Sequence, residues 1–229
     1  MALLQPTYRE VAERWKRMRA THDLRVREVA CVGAPRTLLC AEFGDTHKPL
    51  VLLTAGVHGD EPAGPLALLD LVSNDALDPA FAYRIWPCTN PTGYEAGTRE
   101  STDGLDVNRT FGRGGSSPEA KAIVTANRDL KFVLSIDLHE DDEADGFYAY
   151  EYGFDSPVFA TGVRPDPQTE AEALGGLSLT LLLIRNATPR ALTLETPSRD
   201  ALEARVALHV DAVAEALRRL SRDSQTTQK

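Results

Sequence analysis

The sequence predicts an α/β chain folded as a three-layer α/β/α sandwich around a mixed, mostly parallel central sheet. Apolar runs at 50–56, 132–138 and 191–195 have the unbroken hydrophobicity of strands covered on both faces. Segments with helical spacing separate them, so strands and helices alternate along the chain. The 229 residues are 42% hydrophobic and 26% charged, the composition of an ordinary globular protein. No run approaches the roughly 20 apolar residues of a membrane-spanning helix.

The elements follow in order. Thr7 to Ala20 has helical spacing, with Tyr8, Val11, Ala12, Trp15 and Met18 on one face. Arg25 to Val32 alternates as a strand, Gly33-Ala34-Pro35 makes a turn, and Thr37 to Phe43 is the partner strand. Pro49 to Gly56 is a buried strand, and Pro62 to Val72 a helix with proline suited to its first turn. Tyr83 to Pro87 is a short strand, followed by a polar, Gly-rich loop from Asn90 to Ser117. Pro118 to Leu130 is helical, Phe132 to Leu138 is a buried strand, and Gly146 to Tyr152 alternates aromatics as another. Thr161 to Gln168 reads as a Pro-rich loop, and Leu177 to Ile184 fits either a strand or a buried helix. Ala191 to Glu195 is a strand. Ser198 suits the N-cap of a last helix reaching about Leu220, with Leu202, Val206, Val210, Val213 and Leu217 on its apolar face. With no repeat and no linker-like shift in composition, residues 1–220 read as a single catalytic domain and 221–229 as a frayed tail.

Charge and cysteine usage narrow the partners. Lys+Arg 25 against Asp+Glu 34 gives a net charge of -9, which argues against binding nucleic acid, where clustered cations must displace counterions. The opening residues, Met1 to Glu10, lack the basic and apolar regions of a secretory signal. Cys31, Cys40 and Cys88 have no Cys-x-x-Cys spacing and read as free thiols in a reducing compartment, so a cytoplasmic location is expected. Cys31 and Cys40 could still face each other across the first hairpin.

Two histidines stand at ends of expected buried strands: His58 in Gly56-Val-His-Gly-Asp-Glu-Pro62, and His139 in Ser135-Ile-Asp-Leu-His-Glu140. In open α/β sheets, ligands bind beyond the carboxyl ends of strands. A strand-to-helix turn can aim the imidazole of His58 and the carboxylate of Glu61 at one point, and His139 could add a third ligand from a neighbouring strand. Two histidines and one glutamate with an open fourth position form a hydrolytic zinc arrangement. Each motif alone is weak. His58 could simply cap a loop, Glu61 serve the helix N-terminus, and His139 be a satisfied strand-end residue.

The order of the remaining motifs changes the balance. The sequence resembles the zinc metallocarboxypeptidase superfamily, which includes carboxypeptidase A-like peptidases and the aspartoacylase/succinylglutamate desuccinylase group. Thr54-Ala-Gly-Val-His-Gly-Asp-Glu61 resembles the first ligand motif, and Asn90-Pro-Thr-Gly-Tyr94, Thr98-Arg99 and Asp106-Val-Asn-Arg109 the substrate-binding stretch. Asp137-Leu-His139 resembles the third-ligand strand and Thr193-Leu-Glu-Thr196 the strand carrying the catalytic glutamate. The resemblance implies one Zn²⁺ held by His58, Glu61 and His139. It also implies Glu195 as general base and acid, Arg99 as oxyanion stabiliser, and Asn108 and Arg109 as the substrate-carboxylate site. The expected function is a zinc-dependent hydrolase of a peptide or isopeptide amide bond beside a free carboxylate, acting on a small substrate. N-acyl-amino-acid deacylation is the alternative enzyme, and a catalytically silent peptide- or carboxylate-binding protein the alternative of another class.

Departures from the family keep the subfamily open. Digestive carboxypeptidases carry a mobile tyrosine shortly before the catalytic glutamate, and none lies between Gly153 and Leu194 here. Tyr148, Tyr150 or Tyr152 could substitute, although sheet packing explains their alternation. Aspartoacylase relatives carry a further C-terminal domain, whereas 34 residues follow Glu195. The compact length favours small bacterial members such as murein peptide amidases, while Asp-Leu-His favours the aspartoacylase side. Glu140 to Asp145 is a plain solvated charge run or, more sharply, an acidic pocket mouth that selects cationic substrates. Phe111 to Pro118 reads as a flexible loop rather than an anion cradle, because it lacks a P-loop lysine. His22, His47 and His209 have no partner at ligand spacing.

Overall fold

The structure, a computed structural model, describes residues 5–112 and 115–226. Helix α1 (Tyr8–Met18) opens on a capping box. The Thr7 hydroxyl accepts from the Glu10 N–H at 3.2 Å, and the Glu10 carboxylate accepts from the Thr7 N–H at 2.8 Å, which satisfies two otherwise orphaned donors. Its inner face buries Val11, Ala12 and Trp15. Strands β1 (Leu24–Ala30) and β2 (Thr37–Phe43) form the expected antiparallel hairpin. Then come β3 (Leu50–Ala55), α2 (Ala63–Ser73), β4 (Ala82–Trp86), α3 (Pro91–Ala96), a 3₁₀ turn at Val107–Arg109, and α4 (Pro118–Asn127). The chain continues through β5 (Leu134–Asp141), β6 (Tyr148–Tyr152), β7 (Gly162–Val163), α5 (Pro167–Ala173), α6 (Leu179–Arg185), β8 (Ala191–Pro197) and α7 (Leu202–Thr226).

The sheet order is β1-β2-β4-β3-β5-β8-β6-β7. Its four central strands, β4, β3, β5 and β8, run parallel, and antiparallel pairings flank them on both sides. Side chains alternate across each strand, so successive residues feed opposite layers. Val51, Leu53, Ile136, Leu138, Leu192 and Leu194 pack with α1, α2 and α7. Leu52 packs on the other face with Ala120 and Ile123 of α4 and Leu179 and Leu183 of α6. This is the three-layer sandwich around a mixed, mostly parallel sheet that the sequence predicts. No helix among the described residues is long and apolar enough to cross a membrane.

Several local expectations are corrected. The ambiguous run at 177–184 is helix α6, begun by the Ser178 hydroxyl accepting from the Leu181 N–H at 3.2 Å. The stretch at 90–117 contains α3 and the 3₁₀ turn, capped by the side chains of Asn90 and Asp106. Part of the Pro-rich segment is β7 and the start of α5, where Asp166 is the N-cap and Pro167 occupies the first turn. Ser198 does not cap the last helix. Its N–H donates to the Asp141 carbonyl at 3.0 Å, and α7 begins at Leu202. That helix continues past 220 to Thr226, with Arg219 paired to Asp223 one turn on and Ser221 donating to Asp78 at 2.7 Å, while 227–229 lie outside the described residues. Cys31, Cys40 and Cys88 are free and buried, and Cys40 stands opposite Arg27 rather than Cys31.

Candidate metal centre and its cavity

The parallel strands β3, β5 and β8 deliver their carboxyl ends to one edge, and the chemistry gathers there. After β3 the chain turns through His58 to Glu61 and enters α2. Gly59 makes that turn possible. A Cβ on it would lie 1.9 Å from the Gly93 carbonyl carbon, and its N–H donates to the Thr98 carbonyl at 2.9 Å. The turn therefore rests directly on the 93–98 backbone, which only glycine permits. Asn90 supports this neighbour, accepting from the Gly93 N–H at 3.0 Å and donating to the Arg99 carbonyl at 3.2 Å.

Glu140, next to His139 on β5, fixes the entry to α2 from the other side. Its carboxylate accepts from the Ala63 N–H at 2.6 Å and pairs with Arg205 of α7. Burial pushes this carboxyl up, and the Ala63 and Arg205 donors oppose the shift. The first residue of the expected acidic run is thus a buried clamp. Asp141 accepts from the Tyr148 hydroxyl at 2.8 Å, while Asp142, Glu143 and Asp145 are exposed.

His58, Glu61 and His139 are brought together, all buried. His58 Nδ1 lies 2.5 Å from Glu61 Oε1, and His139 Nδ1 lies 3.0 Å from Glu61 Oε2. One potential ligand atom from each residue falls within 4.8 Å of the others. Both Glu61 oxygens are buried and meet the Nδ1 atoms of His58 and His139, so the lone pairs of all three residues converge where a cation would satisfy them. Two imidazoles and a carboxylate are also the donor set a borderline-soft divalent ion takes, so the residues fit a metal.

The outer nitrogen of each imidazole faces a second carboxylate. His139 Nε2 is 3.2 Å from Asp137 Oδ2, and Asp137 Oδ1 accepts from the Thr54 hydroxyl at 2.6 Å. His58 Nε2 is 3.3 Å from Asp106 Oδ1. Arg99 donates Nε and Nη2 to Asp106 Oδ2 at 3.2 and 3.1 Å, leaving Nη1 3.4 Å from His58 Nδ1. Such outer carboxylates fix imidazole orientation and raise ligand basicity.

The electrostatics reflect this crowding of unlike charges. Burial alone would raise the Glu61 carboxyl, but the charge and hydrogen bond of His139, with those of His58, bring it down to about 2. Burial disfavours the His139 imidazolium, yet Asp137 and Glu61 hold its pKa well above the usual histidine range. His58 shifts the same way, with Asp106 and Glu61 outweighing burial. Burial also opposes ionisation of Asp106, and His58, Arg99 and Arg109 overcome it.

Glu195 stands opposite His139 in the β5–β8 pairing and lines a cavity of about 230 Å³ that also contains the three ligand candidates, Arg99, Asn108 and Arg109. Burial, aided by Glu61 and Asp141 and opposed by His139, pushes its carboxyl up to about 7. Arg109 is half-buried and donates to the Asn108 carbonyl at 3.2 Å, with no carboxylate partner among the described residues. Asn108 is 8% exposed, and its Oδ1 has no hydrogen-bond partner. Tyr148, Tyr150 and Tyr152 all line the cavity from β6. Of the other histidines, His22 sits beside Thr21 and Asp75, and His209 is buried against Thr196. Residues 113–114 of the Gly-rich loop lie outside the described residues.

Sequence reasoning named the ligand candidates and missed their supports. Asp137 was detectable by strand period, since a residue two before His139 must share its face. Asp106 had no local signal, because its link to His58 spans 48 positions of chain. Ser178 and Thr180, from the run that fitted strand or helix, and Glu170, from a stretch the sequence assigned to no element, also line the cavity.

The fold and site define a class: an α/β sandwich with a buried His-Glu-His triad, able to hold a metal, at the strand ends. Comparison with known proteins agrees. The succinylglutamate desuccinylase/aspartoacylase catalytic domain family model matches residues 47–154. Carboxypeptidase SOL1 of Arabidopsis thaliana is 32% identical over 112 residues, which are 40% of this chain and 23% of that protein, so the chain spans about a quarter of that relative's length. Among solved structures, bovine thrombin-activatable fibrinolysis inhibitor, in complex with tick carboxypeptidase inhibitor, superposes with a TM-score of 0.72 at 14% identity, covering 96% of this chain and 98% of the other. A metallo-carboxypeptidase from Pseudomonas aeruginosa, bound to (2-guanidinoethylmercapto)succinic acid, gives 0.70 at 15% identity, covering 93% and 69%. At such identities the structures speak for the fold. Together these likenesses support the zinc carboxypeptidase-like superfamily.

Proposed function

We propose that this protein is a zinc-dependent hydrolase that cleaves a peptide or isopeptide amide bond next to a free carboxylate, working as one catalytic domain over residues 1–220. The observation that carries the reading is the meeting of His58, Glu61, His139 and Glu195 at a single cavity.

His58, Glu61 and His139 would hold the ion. When bound there, Zn²⁺ supplies a Lewis acid that polarises a carbonyl and makes water acidic. The remaining work falls to the chain. Asn108 and Arg109 hold the substrate carboxylate, for which the planar guanidinium fork is matched. Glu195 takes a proton from the attacking water and returns it to the leaving amine, a task suited to a carboxyl raised to about 7. Arg99 turns Nη1, the end of its fork that lies beside His58, towards the developing oxyanion while Asp106 holds Nε and Nη2. Tyr148, opposite Glu195 in the β6–β8 pairing, closes one wall.

Metal analysis of the wild type and His58→Ala, with hydrolysis of short peptides and N-acyl-amino acids, tests the proposal. One equivalent of zinc, lost in the variant, with peptide turnover, is expected. Glu195→Gln should retain zinc and lose about 10²–10⁴-fold in turnover. An active Glu195→Gln variant refutes the assigned role. The match to the desuccinylase/aspartoacylase catalytic domain favours a second reading, deacylation of an N-acyl-amino acid, and the same substrate panel separates the two.

A further inference from the structure

The metal centre has a polar backing on the α2–α7 face of the sheet. Residues of β5 alternate between layers, and Ile136 and Leu138 pack towards α2 and α7. Glu140 is the next residue of that row, and Thr196 stands beside it in the β5–β8 pairing. One position back, and pointing to the other face, His139 and Glu195 pair in the same register. Whatever grips Glu140 and Thr196 therefore grips the backbone that carries a proposed ligand and the proposed base.

Helix α7 supplies both grips. Arg205 donates to the Glu140 carboxylate, and His209, one turn on, places Nε2 3.2 Å from the Thr196 hydroxyl. Thr196 and His209 are fully buried. The helix otherwise turns Leu202, Val206, Val213 and Leu217 into the core. Two polar contacts in an apolar stripe fix α7 at one point of the sheet, which apolar packing alone does not specify.

The Arg205–Glu140 pair reaches further, to Glu61. Helix α2 begins two residues after this ligand, and its first turn has no cap of its own. Pro62 at the N-cap offers no side-chain acceptor, and no acidic residue lies in the turn. The Ala63 N–H donates instead to Glu140 at 2.6 Å. Gly64 lets the helix start lie that close, since a Cβ there would come within 3.0 Å of the Leu138 Cβ. The Glu140 side chain is fully buried and that of Arg205 is 12% exposed. A carboxylate so withdrawn from water needs a cation on its second oxygen to stay charged and in place. Contacts thus run from Arg205 through Glu140 to Ala63 and the Glu61 turn, while His139 is the neighbour of Glu140 along β5.

We infer that Arg205 is a positioning residue for the metal centre, holding the Glu61 turn and the His139 strand end in ligating geometry through Glu140. The inference rests on the proposed roles of Glu61 and His139 as ligands, and it carries a sign that charge alone would reverse. A guanidinium repels a nearby cation, so if charge were its whole effect, removing it would tighten zinc binding. Losing the geometry weakens binding instead, because a metal site is only as good as the shell that supports it.

Chelator competition measures zinc affinity in wild type, Arg205→Met, Arg205→Lys and His209→Leu, with thermal melting of each. Arg205→Met should bind zinc about tenfold or more weakly, as loss of a supporting partner does. Arg205→Lys returns the cation and should recover most of that loss. His209→Leu removes the other α7 grip without touching Glu140, and should keep wild-type zinc affinity whatever its melting temperature. Should Arg205→Met not fold, Glu140→Ala combined with Arg205→Met strands no charge and frees the same Ala63 N–H, and the same loss is expected. Unchanged or tighter zinc binding without Arg205, a loss that lysine does not relieve, or an equal loss in His209→Leu overturns the inference. Hydrolysis of short peptides is measured in parallel. Zinc affinity that follows Arg205, with no peptide cleaved, would sustain this inference while refuting the hydrolase reading. Peptide turnover with zinc affinity indifferent to Arg205 would do the reverse, and no zinc binding by the wild type would overturn both.

Discussion

Asp137 and His139 sit two residues apart on β5, and the carboxylate of the first lies 3.2 Å from the outer nitrogen of the second. Strand geometry puts them on one face, and Thr54 of the adjacent strand holds the far oxygen of Asp137 at 2.6 Å. Asp137→Ala should therefore leave the fold intact and weaken metal affinity about 10–100-fold, as loss of such an outer partner does. Chelator competition on the purified variant measures it. Unchanged affinity would mean that His139 is oriented by the strand alone.

Gly59 is the tightest approach near the site. With a Cβ 1.9 Å from backbone carbon, Gly59→Ala must displace either the ligand turn or the 93–98 segment. A loss of about 1–3 kcal/mol is expected from such overpacking, together with loss of zinc. Thermal melting with metal analysis of the same sample checks both. Full zinc occupancy at wild-type melting temperature would show that the turn has slack.

His209 gives a pH signature to stability. Burial, reinforced by His139, pushes its pKa from 6.5 down to about 3, so it is neutral in the folded chain. Between pH 6.5 and 3 the unfolded chain takes up a proton there and the folded chain does not. Its stabilising contribution is thus complete above pH 6.5 and is lost as pH falls through that window, at about 1.4 kcal/mol per pH unit. Urea unfolding of the metal-free protein from pH 6.5 to 4.5 should fall more steeply for the wild type than for His209→Gln. Parallel slopes would contradict the burial argument.

The thiols should be silent. Burial pushes Cys31 up to about 11, with Glu119 adding to the shift, and Cys88 up to about 12, and it raises Cys40 as well. A thiolate is the reactive form. A colourimetric thiol reagent at pH 8 should find no reactive cysteine in the native protein and all three after denaturation. Prompt labelling of any one in the native state would disagree with its burial.

The parts of the molecule legible in sequence are those written by local periodicity. The central strands are continuous apolar runs, and the amphipathic stripe of Val11, Ala12 and Trp15 announces α1. His58 and Glu61 could be paired because a strand-to-helix turn separates them by three residues. Features that depend on distant contacts were not legible. Asp106 meets His58 only through folding of the 90–109 stretch, and Glu140 reaches Arg205 across 65 positions. Helix α5 was hidden because Asp166-Pro167 is both a helix start and a loop signal, and only packing of Ala171 and Leu174 decides between them. Ser198 failed as a cap because the chain first makes a turn, the Asp200 N–H donating to the Pro197 carbonyl at 3.1 Å, and the helix begins only at Leu202.

The division of labour between the sheet's two regions has a consequence for ancestry. The proposed ligands and base stand on parallel strands or in the turn that follows one, buried in the middle of the sandwich, where almost any exchange disturbs several neighbours. The cavity's outer walls come from an antiparallel strand and two helices of seven residues each, joined through a single small cluster. Mutation can rewrite those walls without touching the buried machinery. Descendants of one such ancestor are therefore free to diverge in diet while inheriting the same reaction.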